Sequence, residues 1–185
     1  MHKLSVNEMN RLTVEEFRAA EKLPLIAVLD NVRSLHNVGA VFRTADAFRL
    51  EAVWLCGITV HPQPNTPDEW PSDVHKTALG AETTVPFRYF ESTMEAIKNL
   101  HEAGYVVFAV EQAEGSTSLD EVELDPAKRY AVVLGHEVFG VQQEVVDAAD
   151  GCLEIPQFGT KHSLNVSVAG GIVLYSLSQK LRKFL

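Results

Sequence analysis

Short apolar runs alternate with helix-like segments along most of this chain, and that alternation limits the possible folds more than any other feature. The predicted strands are 24–30, 51–58, 83–90, 105–111, 130–135 and 152–156. The predicted helices are 38–49, 92–104 with Ser92 as N-cap, 142–150 and 164–183. Residues 61–73 contain four prolines and predict an irregular surface segment. Strands alternating with helices indicate a parallel sheet covered on both faces, so we expect one α/β/α domain.

Length and composition fit a single globular domain. The chain has 185 residues, of which 46% are hydrophobic and 22% charged, enough to form a sizeable core. No apolar run approaches the roughly 18–20 residues that span a bilayer. The charged N-terminus lacks the apolar centre of a signal peptide. We therefore expect a cytoplasmic protein without a membrane segment, with a helical extension over 1–23 and the main domain over 24–185.

The cysteines and histidines give no sign of a metal site. Cys56 and Cys152 each lie in or beside an apolar run, so buried free thiols are favoured over a disulfide or metal ligands. The seven histidines show no paired ligand spacing.

Charge is distributed unevenly along the chain. The net charge of −9 argues against a nucleic-acid partner, but residues 1–50 carry +1, residues 51–154 carry −14 and residues 155–185 carry +4. Both ends therefore retain charge suited to phosphate. The alternative is that the basic residues at 180–183 only complement the dipole of the final helix.

An arginine stands out in residues 31–48, NVRSLHNVGAVFRTADAF. This segment begins as a loop and continues as a helix, for which Asn37 is the expected N-cap. Arg43 falls in the second turn, next to the apolar stripe. Either it pairs with Asp46 on a solvated face, or its guanidinium binds a phosphate or an oxyanion.

Two glycine-bearing loops follow predicted strands, at the sheet edge where α/β proteins bind ligands. They are GHEVFGVQ at 135–142 and IPQFGTKHSLNVSVAGG at 155–171. The dinucleotide fingerprint G-x-G-x-x-G is absent from every strand–helix junction. The loops either wrap a small molecule with backbone groups, or Gly135 and Gly140 only form a turn and Ser163 or Asn165 only caps the last helix.

Together, these segments resemble the three motifs of the SpoU (TrmH-like) family of RNA ribose 2′-O-methyltransferases, in the family's order. The pattern N-x-G-x-x-x-R-T-A-x-A-F matches 37–48, G-x-E-x-x-G matches 135–140, and I-P-x-x-G-x-x-x-S-L-N-V-S-V-A matches 155–169. Residues 76–82, KTALGAE, resemble a weaker central element. Two positions depart from the family pattern: His136 stands where asparagine is common, and Arg49 where glycine is usual.

The resemblance implies a fold and a cofactor that the residue patterns alone do not indicate. In this family the last strands and helix form a deep trefoil knot, and S-adenosylmethionine sits in the loops of the knot. The candidate cofactor-binding residues are Val110, Glu111, Gly135, Gly140, Ile155 and Leu164. Backbone groups are expected to recognise the adenine, with Ile155 and Leu164 packed on its ring.

The resemblance also implies the reaction and its residues. The candidate catalytic residues are Arg43, Asn37, Ser163, Asn165 and Glu137. Arg43 is expected to stabilise the 2′-oxygen or hold a neighbouring phosphate, because its high pKa makes it a poor general base. Asn37 would orient Arg43 or the ribose, and Ser163 and Asn165 would bind the substrate or the loop. The alternatives are an RNA-binding protein without activity and a Rossmann-type metabolic enzyme.

The expected partners are RNA and a second copy of the chain. The family works as a homodimer in which the first motif of one subunit completes the site of the other. The last helix carries more apolar surface than one small domain needs to bury, which places it and the first-motif helix at the interface; its apolar residues are Leu164, Val168, Ile172, Leu174, Tyr175 and Leu177. About 23 residues precede the first strand, which favours transfer RNA over ribosomal RNA, because family members acting on ribosomal RNA often carry a separate N-terminal domain.

Overall fold

A seven-stranded parallel sheet forms the centre of the protein. A computed structural model describes residues 1–63, 66 and 69–182. The strands are β1 Leu23–Asp30, β2 Leu50–Cys56, β3 Phe87–Phe90, β4 Tyr105–Val110, β5 Thr117–Ser118, β6 Arg129–Leu134 and β7 Gly151–Glu154. Their order across the sheet is β3-β2-β1-β6-β4-β7-β5, and every described strand pair is parallel.

Helices cover both faces of the sheet, so the predicted parallel α/β fold is confirmed. They are α1 Val14–Ala19, α2 Leu35–Phe48, α3 Ser72–Ala78, α4 Ala81–Thr84, α5 Thr93–Glu102, α6 Gln143–Ala148 and α7 Val166–Arg182, after a short 3-10 helix at Val6–Met9. One buried cluster joins α2, α3, α4 and α7 to the sheet, and Phe17 of α1 belongs to it. The second cluster joins α5 and α6 to the other face. Alternate residues of β1 enter the two clusters, as the two-residue period of a strand requires.

Strand register brings three loops to one point at the carboxyl edge of the sheet. Leu134, the last residue of β6, pairs with Leu29 of β1 on one side and with Val110 of β4 on the other. Val110 in turn pairs with Leu153 of β7. The segments that leave β4, β6 and β7 are therefore direct neighbours.

Three local predictions need correction. Helix α2 starts before Asn37, because Ser34 is its N-cap and its Oγ accepts a hydrogen bond from the Asn37 N–H at 3.4 Å. Of the strand predicted at 83–90, only 87–90 is extended. The residues before it form α4, where the Thr84 hydroxyl donates to the Asp46 carboxylate at 2.8 Å, a tertiary contact that overrides strand propensity. Strand β5 was not predicted, since two residues carry no period.

The remaining local predictions agree with the structure to within a few residues. The Ser92 Oγ accepts a hydrogen bond from the Glu95 N–H and caps α5 as expected. The described part of 61–73 is irregular until α3 begins, and residues 64, 65, 67 and 68, like residue 183 of the predicted last helix, lie outside the described residues. Both cysteines are free thiols; Cys56 is buried, which raises its pKa to about 12, whereas Cys152 is only half-buried. None of the described helices is long and apolar enough to span a membrane.

Candidate active site

A cavity of about 420 Å³ lies where the segments after β4, β6 and β7 meet. That volume is within the range of small-molecule sites. Its walls include all six predicted cofactor-binding residues, namely Val110, Glu111, Gly135, Gly140, Ile155 and Leu164. Glu137 and Ser163, two of the predicted catalytic residues, also line it.

The loop after β6 is a tight turn that also forms a wall of the cavity. His136 and Gly140 exchange two backbone hydrogen bonds of 3.0 and 2.9 Å. Gly140 has a φ of +68°, and a Cβ added there would lie 2.1 Å from Glu111 Oε2. That oxygen instead accepts the Val141 N–H at 3.1 Å. Only glycine fits at 140, because it both adopts the left-handed conformation and lets the carboxylate approach.

A buried carboxylate that sequence reasoning missed anchors the far end of this loop. Asp30, at the carboxyl end of β1, is fully buried. It accepts hydrogen bonds from the Gln142 N–H at 3.2 Å, the Gln142 side-chain amide at 2.9 Å and the Thr93 hydroxyl at 2.5 Å. The sequence signal was present, since an acid that ends an apolar strand is rarely buried without partners.

Glu137 connects the loop after β6 to the first motif. Its carboxylate accepts hydrogen bonds from the Ser34 N–H at 2.8 Å, the Arg33 N–H at 3.1 Å and the Asn37 side-chain amide at 3.0 Å. Partial burial by itself raises the pKa of Glu137, but the hydrogen bonds from Ser34, Asn37 and Arg33 outweigh it and lower the pKa below its ordinary value. The carboxylate is therefore charged, and its oxygens are occupied by these donors.

Asn37 is the point where all three motifs meet. Its side chain is 8% exposed, donates to Glu137 and accepts a hydrogen bond from the Asn165 amide at 3.2 Å. The Asn165 Oδ1 accepts the Ser167 N–H at 2.9 Å, at the start of α7. The capping interpretation is thus correct for Asn165, but the same side chain also reaches the first motif.

Arg43 lies outside this hydrogen-bonded group. It is exposed on α2 and is not among the residues that line the cavity. Among residues 1–63, 66 and 69–182, no ion pair includes Arg43. The surface pair with Asp46 is not formed, and Asp46 accepts from Thr84 instead.

Several further cavity residues were not selected from the sequence. Gln112 fixes the third loop, because its side-chain amide donates to the His162 carbonyl at 2.7 Å. His136, Gln157 and His162 line the cavity as well. These three residues stand at positions where the motif patterns specify no residue type. The sequence therefore indicated them only through the motif residues on either side. Within the described part of the chain, no cluster of three potential ligands forms a metal site.

Comparison with known proteins assigns the chain to a family. The SpoU rRNA Methylase family matches residues 24–175, most of the chain and all three motifs. The chain belongs to this family. The SpoU resemblance predicted from the motifs is therefore confirmed.

Two SpoU-family relatives illustrate the range of substrates. The tRNA (guanosine(18)-2′-O)-methyltransferase of Thermus thermophilus is 32% identical over 176 residues, which cover 95% of this chain and 85% of that protein. The 23S rRNA (guanosine-2′-O-)-methyltransferase RlmB of Nitrosomonas europaea is 37% identical over 151 residues, 82% of this chain but 54% of that protein.

A solved structure links the SpoU fold to its cofactor. The AdoMet-bound rRNA methyltransferase from Sinorhizobium meliloti superimposes with a TM-score of 0.75 at 27% identity, covering 89% of this chain and 60% of that one.

Proposed function

We propose that this protein is an S-adenosylmethionine-dependent methyltransferase acting on the 2′-hydroxyl of a ribose in RNA. The observation that carries the proposal is the hydrogen-bonded series Glu137–Asn37–Asn165, which joins three motifs distant in sequence beside one cavity. A fold of this kind places ligands at the carboxyl ends of its strands.

The cavity suits the cofactor. Its volume accommodates a nucleoside-sized ligand, and its walls combine apolar Val110, Ile155 and Leu164 with the backbone and polar side chains of the loop at 135–141. When bound, S-adenosylmethionine supplies an electrophilic methyl group on a sulfonium centre. The loop backbone recognises the adenine, while Ile155 and Leu164 pack on its ring. Gly140 and Glu111 keep this loop in the required shape.

Arg43 is the group that stabilises the reacting oxygen. The 2′-oxygen becomes negatively charged as its proton passes to solvent. When that oxygen bonds to the methyl carbon, the bond from the carbon to the sulfonium sulfur would break and leave a neutral thioether. The guanidinium is permanently charged and planar, so it binds that oxygen or an adjacent phosphate in a forked geometry. Ser163 hydrogen-bonds the substrate from the cavity wall. Glu137, Asn37 and Asn165 act by positioning the loops and the start of α2.

The active protein is a homodimer in which α2 of one copy completes the cavity of the other. Three observations support this. Arg43 is exposed and lies outside its own chain's cavity. An exposed apolar stripe begins at Leu164 in the cavity wall and continues along α7 through Val168, Ile172 and Tyr175. Leu174 and Leu177 face the core. Phe48 of α2 packs on Tyr175, so the two helices share one face.

Transfer RNA is the proposed substrate. The similarity extends over 85% of the Thermus tRNA enzyme but over 54% of the Nitrosomonas rRNA enzyme, whose identity is slightly higher. The aligned region therefore spans most of the tRNA enzyme but only about half of the rRNA enzyme. We further propose a cytoplasmic location and a division of the chain into an extension over 1–23 and a catalytic domain over 24–185.

The C-terminal segment is proposed to form a trefoil knot. Strand β7 occupies the sheet position between β4 and β5, although it follows both in sequence. The chain then returns to α7, where Gly170 approaches Leu134 of β6. We propose that this path passes beneath the segment that connects β4 to β5. Mechanical extension from the two termini tests this, because a knotted chain gains less contour length than 185 extended residues provide.

Methyl transfer from labelled S-adenosylmethionine to unfractionated tRNA and to ribosomal RNA tests the activity. We expect the label in 2′-O-methylated nucleosides from tRNA. Label in a methylated base would contradict the reaction, and label in ribosomal RNA alone would contradict the proposed substrate.

Variants of Arg43 test the mechanism. Arg43→Ala should slow single-turnover transfer by at least about 10²–10³-fold, while S-adenosylmethionine binding, measured by calorimetry, is retained. Arg43→Lys should restore little, because lysine lacks the planar fork. Lys98→Ala, which removes a charge from exposed α5, is the control. Normal rates in Arg43→Ala would leave the arginine as an ordinary surface residue.

A further inference from the structure

Large apolar side chains project into solvent next to the cavity. Phe158, in the loop after β7, is 97% exposed, and Phe139 and Val138, in the loop after β6, are 82% and 74% exposed. Val138 and Phe139 line the cavity, and Phe158 follows the lining residue Gln157. Large apolar side chains exposed beside a cavity are typical of surfaces that bind a partner.

Polar contacts hold both the loop after β6 and the loop after β7. The exposure of these apolar side chains is therefore a property of ordered loops. The ring of Phe139 lies 4.9 Å from that of His136, whose Nδ1 accepts the Val138 N–H at 3.0 Å. The bond from Gln112 to the His162 carbonyl fixes the loop of Phe158 on the cavity side. Phe158 is therefore presented outward on an anchored loop.

The surroundings of Phe158 favour RNA over a second protein copy. Lys161 and His162 are exposed on the same loop, and residues 155–185 contain no acid. In sequence, Phe158 lies among glutamine, glycine, threonine and lysine. An aromatic face beside a cation is the combination that binds unpaired nucleotides, through base stacking and phosphate contact.

We propose that Phe158 is a stacking platform for a nucleobase of the RNA substrate, with Lys161 bound to a nearby phosphate. This inference rests on the proposed function, because it assigns the base to the same RNA whose ribose is methylated. It adds a binding residue that lies outside the cofactor cavity and takes no part in the chemistry.

Equilibrium binding of unfractionated tRNA, measured by filter retention, tests the platform without requiring turnover. Phe158→Ala should weaken RNA binding by between about 5-fold and 100-fold, the usual range for one stacked base. Affinity for S-adenosylmethionine and the sedimentation coefficient should not change. Phe158→Tyr should bind like the wild type, because it retains an aromatic face. Phe158→Leu, which is apolar without a ring, should remain weak.

The salt dependence separates the two contacts. Lys161→Ala should reduce the slope of log affinity against log salt by about one unit, whereas Phe158→Ala should leave the slope unchanged. Full binding by Phe158→Ala, recovery by leucine, or dissociation of the dimer would overturn the platform. A wild type that binds tRNA through Phe158 without methylating it would contradict the proposed activity and leave the platform standing.

Discussion

Replacing Glu137 with glutamine tests whether the carboxylate positions the two loops or acts on the substrate. The carboxylate accepts hydrogen bonds from the Ser34 N–H, the Arg33 N–H and the Asn37 amide. Glutamine keeps one oxygen, which is able to serve Ser34 and Asn37. Its amide nitrogen then faces the Arg33 N–H, so two donors meet and that bond is lost.

The size of the effect follows from these contacts. A hydrogen bond to a charged group contributes about 1.5–3 kcal/mol and a neutral one about 0.5–1.5 kcal/mol. Glu137→Gln replaces three charged bonds with two neutral ones. Because the side chain is half-buried, the lower values apply and solvent screening reduces them further, so the free energy of unfolding should fall by about 2–3 kcal/mol. For a chain of this length the Tm should drop by about 4–12 °C.

The assay combines thermal unfolding, calorimetric binding of S-adenosylmethionine and single-turnover methylation. The affinity for the cofactor should change less than about 3-fold, because Glu111 still holds Val141. Loss of about 2–3 kcal/mol in positioning Asn37 and α2 should slow transfer about 30- to 160-fold. Glu123→Gln, an exposed carboxylate away from the cavity, controls for the lost charge.

Two results would refute this reasoning. A Tm within about 1 °C of the wild type, with normal turnover, would mean that the three bonds contribute nothing measurable. An unchanged Tm with abolished turnover would mean that Glu137 touches the substrate.

The stability that Glu137 contributes should decrease as the pH falls. The pKa of Glu137 is lowered in the folded protein, so its contribution to stability is fully present above the ordinary value of 4.5 and is lost as pH falls through the lower folded value. The stability difference between wild type and Glu137→Gln should therefore be constant near neutral pH and narrow below 4.5. A difference that widens on acidification would contradict the lowered pKa.

Three further substitutions probe the rest of the site. Asp30→Asn places an amide nitrogen among the buried donors of Thr93 and Gln142, so urea unfolding should show a loss of about 2–4 kcal/mol; a loss below about 1 kcal/mol would contradict its anchoring role. Gly140→Ala should weaken S-adenosylmethionine binding at least about 10-fold by calorimetry, because a Cβ displaces the Glu111 carboxylate and strains a positive φ; unchanged affinity would mean that the loop shape is not required. Tyr175→Asp should yield a monomer without turnover in sedimentation and methylation assays, since it places a charge in the exposed stripe of α7; an active dimer would exclude this face.

The sheet and its covering helices could be predicted from the sequence because their apolar residues recur regularly over many positions. Buried strands such as β1 and β6 are nearly continuous apolar runs, and α5 begins at a serine whose capping role is local. The N-cap of α2 was a local error, because it is Ser34 and not Asn37, but the other two errors arose where a contact distant in sequence decided the outcome. Thr84 reaches Asp46, which favours a helical turn over a strand, and the two residues of β5 are extended only because β7 lies beside them.

The sequence predicted the part of the candidate site that lies in the three motifs. The six residues predicted to bind the cofactor follow strands or match family positions, and the structure places them around one cavity, while their role in binding stays a prediction. Asp30 was missed because its partners, Thr93 and Gln142, are 63 and 112 residues away. The exposed Phe158 gave no periodic signal. The roles of the catalytic residues, the knot and the dimer stay predictions.

Asn165 joins two requirements in one side chain, and this restricts how its position can vary as the sequence diverges. Starting α7 needs only an acceptor for the Ser167 N–H, which aspartate, serine or threonine provides equally well. Bonding the Asn37 oxygen needs a donor pointing the other way. Aspartate offers no such donor, and a hydroxyl is too short to span both contacts. The other residues that commonly cap helices therefore cannot replace asparagine at position 165. A substitution there would require a compensating substitution at position 37.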